Sequence, residues 1–185
     1  MGGENMKKRE PTNGTNATSR LFLRFFLTYL LTAPVAILFA TRELLELNIE
    51  QSGAVEFFFV PLSLLAAFLT ITKPYLIVLA VIKSFYDVAL LYQVSQWVRL
   101  GAIGILPWNA CLLILIFSLI LFCFAAARAE LFSFLHTERD IHLILSRPFG
   151  AYLLEMLLFT ALALSLYYLM PELLNTFGML PTPLQ

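Results

Sequence analysis

The chain has 185 residues, 60% of them apolar and 13% charged, with twelve basic and twelve acidic side chains cancelling to zero. Soluble domains are roughly 45–50% apolar and roughly 25% charged, so an ordinary water-soluble globule is excluded. No charge excess points to nucleic acid, and the apolar stretches leave no room for a separate soluble domain.

Residues 1–19 are polar, with Pro, Gly, Asn and Thr, and are expected to form a disordered cytoplasmic tail. Asn13-Gly14-Thr15 and Asn16-Ala17-Thr18 match glycosylation sequons, which are inert on the cytoplasmic side. Five apolar runs follow: 21–40, 53–71, 75–98, 102–127 and 149–170. Each is close to the ~20 residues a helix needs to cross a hydrocarbon core. The runs are continuous rather than alternating, which excludes barrel strands, and backbone amides in lipid must then be satisfied within helices. The first run is too long for a signal-peptide core and leads directly into charged residues and further spans. The expected fold is an all-α integral membrane protein. It comprises a bundle of about five transmembrane helices over 20–170, a cytoplasmic interfacial amphipathic helix, and a short outer tail over 171–185.

Pro34 and Pro61 fall inside the first two runs and are expected to kink them, since each removes a backbone hydrogen bond. The loop after the first run carries Glu43, Glu46 and Glu50, with Glu56 near the outer end of the second run. These carboxylates read as a solvated helix face or as a cation site. Thr72–Pro74 reads as the turn between the second and third helices. Gly101, Gly104 and Pro107 make 101–107 a loop or re-entrant turn, with the fourth span then beginning near Trp108. Residues 130–147 are too polar to span and too apolar for a free loop. They predict an amphipathic helix or helical pair on the cytoplasmic surface. Phe132, Leu135, Ile141 and Ile144 there are candidate docking residues for a cytoplasmic partner such as an ATPase, or simply part of a connector.

The basic residues set an orientation. A cytoplasmic N-terminus puts Lys7, Lys8, Arg9, Arg20, Lys73, Arg128, Arg139 and Arg147 on that side, and only Arg42 and Arg99 opposite. This is the positive-inside bias, and it predicts an inside N-terminus and an outside C-terminus. Trp97, Trp108, Tyr167 and Tyr168 fall near the predicted outer interface, where aromatic anchors belong.

Lys83 and Asp87 are the leading site candidates, because they occupy the middle of the third run. Each ionisable group at mid-bilayer costs about 2.5–3.5 kcal/mol on insertion scales, while each strongly apolar residue returns about 0.3–0.6 kcal/mol. The third helix is therefore marginal alone and is expected to be the inner helix of the bundle. A spacing of four puts both groups on one face, and Asp87 needs Lys83, a hydroxyl such as Tyr86 or Ser84, water or a proton. The pair reads either as an ion or substrate path or as a structural ion pair. Arg24 and Glu155 lie a turn or two inside the cytoplasmic boundary, where they pair across helices one and five or snorkel.

Cys111 and Cys123 are about 18 Å apart along one helix, too far to bridge, and read as small buried residues. His136 and His142 lack the spacing of a helical metal pair. No metal site, cofactor or catalytic constellation is expected. Ala36 with Ala40, Ser63 with Ala67, and Ala161 with Ser165 present small-residue faces suited to helix contacts.

From the second run onward the order of features resembles the stage II sporulation protein M family of bacterial membrane proteins. The resemblance spans Gly53 to Met170. It rests on a proline-bearing helix, a polar-centred helix (Lys83-Ser84-Phe85-Tyr86-Asp87), the short turn Gly101-Ala102-Ile103-Gly104 and a long apolar helix. The glycines usual in the third helix of that family are replaced here by bulky Phe85, Tyr86 and Leu90. The resemblance implies a noncatalytic polytopic subunit in a bacterial plasma membrane, serving an envelope-remodelling complex or a transporter-like assembly. The expected function is thus a noncatalytic membrane subunit with lipid and other subunits as partners. The alternative is a small transporter, or its substrate-binding subunit, with Lys83 and Asp87 in the pathway.

Overall fold

The computed structural model describes residues 14–40, 52–69, 71–99, 105–137 and 147–176. Among the described residues there is no strand. The elements are α1 (Gly14–Ala40), α2 (Ser52–Leu65), a single 3-10 turn (Ala66–Phe68), α3 (Thr72–Arg99), α4 (Ile105–Thr137) and α5 (Arg147–Thr176). Four of the five helices are long and apolar enough to cross a membrane, with candidate spans Ala17–Phe39, Thr72–Gln96, Trp108–Ser133 and Phe149–Leu166. α2 is the exception. Its 14 residues reach about 21 Å, short of the ~30 Å hydrocarbon core.

Several boundaries differ from those expected. Gly14–Ser19 belong to α1 rather than to a tail. Thr72, Lys73 and Pro74 open α3 instead of forming the turn, and the proline sits in the first turn where no intrahelical N–H is required. The chain tightens just upstream, in the 3-10 turn Ala66–Phe68. It is stitched by the Leu69 amide donating to the Ala66 carbonyl at 3.0 Å, and by the Thr72 hydroxyl lying 2.7 Å from the Leu69 carbonyl. α4 takes in Ile105–Pro107 and continues to Thr137, so Glu130–Thr137 prolong this long helix and do not form a separate surface helix. The remainder of that segment, including Ile141, Ile144 and His142, lies outside the described residues, as do the Glu43–Glu50 loop and Gly101–Gly104. α1 runs on through Pro34, whereas α2 ends four residues after Pro61.

α4 is the axis of the bundle. It packs against all four other helices, while α1 pairs with α3 and α2 pairs with α5. Over the 18-residue apolar stretch that qualifies each helix as a candidate span, 61% of residues are buried in α4 and 50% in α3, against 17% in both α1 and α5. α3 is inner, as its charges require, yet α4 is more enclosed. The reason is side-chain size: Ala125, Ala126, Ala127 and Ala129 are all fully buried, and small residues let neighbouring backbones approach. Ala36, Ser63 and Ala67 are likewise buried at contacts, but Ala161 and Ser165 face outward. α5 instead buries Tyr152, Ala163 and Leu166. The leucines left outside, such as Leu31 on α1 and Leu154 and Leu157 on α5, form a surface suited to lipid.

Overpacking this axis should destabilise the bundle. Ala126→Leu is expected to lower stability by about 1–3 kcal/mol, whereas Ala161→Leu on the outward face of α5 should leave it near the parent value. Thermal unfolding of both variants in the same detergent measures the difference.

Candidate functional site

Lys83 and Asp87 come together as the spacing requires, one turn apart on the inward face of α3. Both are wholly inaccessible to solvent. Lys83 Nζ donates to Asp87 Oδ1 at 3.1 Å and to Ser118 Oγ of α4 at 3.0 Å. It also lies 5.1 Å from the centroid of the Phe59 ring on α2, within cation–π range. The second oxygen of Asp87 accepts a 2.8 Å hydrogen bond from the Tyr29 hydroxyl of α1. The Ser84 hydroxyl donates to the Tyr29 backbone carbonyl at 3.2 Å, which fixes the same α1–α3 contact one residue along.

Four helices therefore meet on one ion pair. An isolated buried charge is prohibitive, while a pair with its hydrogen bonds completed is tolerable. Asp87 takes a hydroxyl from Tyr29 on the neighbouring helix. Tyr86 packs its ring 6.1 Å from that of Phe59.

A second polar layer lies toward the end of the bundle where α1 and α3 begin. Arg24 Nη1 donates to Glu130 Oε1 at 2.9 Å, and Lys73 Nζ stands 3.9 Å from the same oxygen. Arg128 grips Glu155 as a fork, with Nε to Oε2 at 2.7 Å and Nη2 to Oε1 at 2.5 Å. Arg24 and Glu155 thus do not pair with each other. Each takes a partner on α4, and the sequence reading overlooked both Glu130 and Arg128 as partners. Ten residues separate Lys73 from Lys83, so the two layers are about 15 Å apart along α3.

Beside this layer Phe132 stacks on Tyr152 with centroids 4.3 Å apart, and Phe68 and Phe149 close the cluster. Phe132, on α4, thus packs against α5 and the 3-10 turn. The Tyr152 hydroxyl donates to the Leu64 carbonyl at 2.7 Å, a group stranded where α2 tightens into the turn. Glu56 and Leu135 lie on α2 and α4, and their side chains fall outside the described set, as does that of His136. Cys111 and Cys123 are unbridged and buried in α4. Among the described residues no cluster of three or more His, Cys, Asp or Glu side chains could hold a metal ion.

No protein-family model, curated protein or solved structure matches the chain.

The two layers should respond differently to mutation. Tyr29→Phe strips a donor from a fully buried carboxylate and is expected to cost about 1–3 kcal/mol. Glu155→Gln acts on a fork about one-third exposed at each partner, so its loss should be the smaller. Chemical or thermal unfolding in detergent orders the two variants; a Tyr29→Phe protein as stable as the parent would contradict the buried bond.

Proposed function

We propose that the protein is a noncatalytic multi-pass membrane subunit that works inside a larger membrane assembly. The observation that carries this reading is the completeness of the Lys83–Asp87–Tyr29–Ser118 network. Both charges are sealed from solvent, each is matched by the other, and the hydroxyls come from two further helices. Such an arrangement clamps α1, α3 and α4 together and uses the intramembrane charges for architecture. The outward leucines of α1 and α5 supply apolar area for lipid or for the helices of neighbouring subunits. The resemblance to the stage II sporulation protein M family supports the same reading, and with it a bacterial plasma membrane, an inside N-terminus and five spans with α2 included.

A second reading is a small transporter. It is favoured by the hydroxyl–carboxylate–ammonium chain through Tyr29, Asp87 and Lys83, whose members all exchange protons. In that case Asp87→Asn abolishes transport or proton coupling in protein that remains folded.

Purification from native membranes in mild detergent tests the subunit reading. A stoichiometric membrane or cytoplasmic partner is expected to remain bound. A lone chain that is active by itself would contradict it.

A further inference from the structure

The polar layer at the end of the bundle borders a cavity of about 310 Å³ lined by Ala17, Arg20, Leu21, Lys73, Glu130 and Leu131. It sits where α1 and α3 begin and α4 approaches its end. Two cations, one carboxylate and three apolar side chains share its wall. Glu130 is the unusual member. Its side chain is only 5% exposed, and Oε1 engages Arg24 and Lys73, yet Oε2 is buried and accepts no hydrogen bond. A buried acceptor left unmatched costs about 1–3 kcal/mol, more when it is charged. The last torsion of a glutamate is broad, so a modest rotation of the carboxylate presents that oxygen to the cavity.

From this juxtaposition we infer that the cavity binds a phospholipid headgroup carrying a primary ammonium, of the phosphoethanolamine type. The phosphate lies against Lys73 and Arg20, and the ammonium donates to Glu130 Oε2. The apolar side chains Ala17, Leu21 and Leu131 receive the glycerol and the start of the acyl chains. The volume holds about ten water-sized groups, enough for such a headgroup. A phosphocholine headgroup carries the same charges but has no N–H to donate, so it leaves Oε2 unmatched. This assignment is independent of the subunit reading and stands whether or not a protein partner co-purifies.

Native mass spectrometry of the full chain tests the inference, with dioleoyl phosphatidylethanolamine and dioleoyl phosphatidylcholine offered at equal concentration. The ethanolamine lipid should be retained about tenfold better, a difference of about 1.4 kcal/mol and the scale of one charge-assisted hydrogen bond. Glu130→Leu, which removes the acceptor altogether, should bring the two lipids to parity. Ala17→Phe, which fills the cavity and leaves both Arg24 and Glu130 in the chain, should reduce retention of the ethanolamine lipid to the choline level, and it decides the matter if Glu130→Leu fails to fold. Soluble phosphoethanolamine, lacking acyl chains, should not displace the lipid at equal concentration. Equal retention by the parent chain, a preference that survives either substitution, or displacement by the soluble headgroup overturns the assignment.

Discussion

A charge cannot be left alone where water is absent, and the arrangement of this bundle follows from how that constraint is met at Lys83 and Asp87. Neither group tolerates lipid contact, so α3 must turn its charged face inward. Once inward, the pair needs more than itself: the carboxylate has a second oxygen and the ammonium further protons. Tyr29 and Ser118 supply what the pair lacks. Those two residues belong to α1 and α4, so satisfying one ion pair fixes the mutual placement of three helices. Phe59 adds α2 through the face of its ring. In a membrane the hydrophobic effect gives little drive for one apolar helix to choose another. A polar network with few solutions therefore specifies the packing better than apolar contacts can.

α4 then acts as the common wall. Its alanines allow close approach near the end of the bundle, where Glu130 and Arg128 each take an oppositely charged partner from a peripheral helix. α1 and α5 are mostly exposed and are tied to the axis at discrete polar points, Arg24 for one and Glu155 for the other. The aromatic cluster around Phe132 and Tyr152 secures the 3-10 turn on the same side. Two layers of polar contacts about 15 Å apart along α3 fix the tilt of a helix more firmly than one would.

Much of the helix content was legible in the sequence, because uninterrupted apolar runs of sufficient length have one stable form in lipid. The inward face of α3 was legible too, since the spacing of Lys83 and Asp87 dictates a shared face. What escaped was the identity of partners on other helices. Tyr29 and Ser118 are ordinary hydroxyl residues inside apolar runs, and nothing local distinguishes them from Tyr75 or Ser165. Arg128 read as an orientation signal and Glu130 as the start of a surface segment, because apolar periodicity fades before α4 ends. Pairing Arg24 with Glu155 was sensible by depth, but depth does not say which helices are neighbours. The second run looked as long as the others in composition, and only the tightening at Ala66 revealed that α2 stops short.

The central claim is that the Lys83–Asp87 pair is an architectural clamp. A double-mutant cycle tests it most directly, with unfolding free energies measured in one detergent for Lys83→Met, Asp87→Leu and the combined variant. Each single change leaves an uncompensated buried charge and should lose about 3–5 kcal/mol, while the combined variant removes both charges and should recover most of that loss. Retained partner association in the combined variant would complete the agreement. Losses that simply add would contradict the clamp, as would a stable combined variant devoid of function.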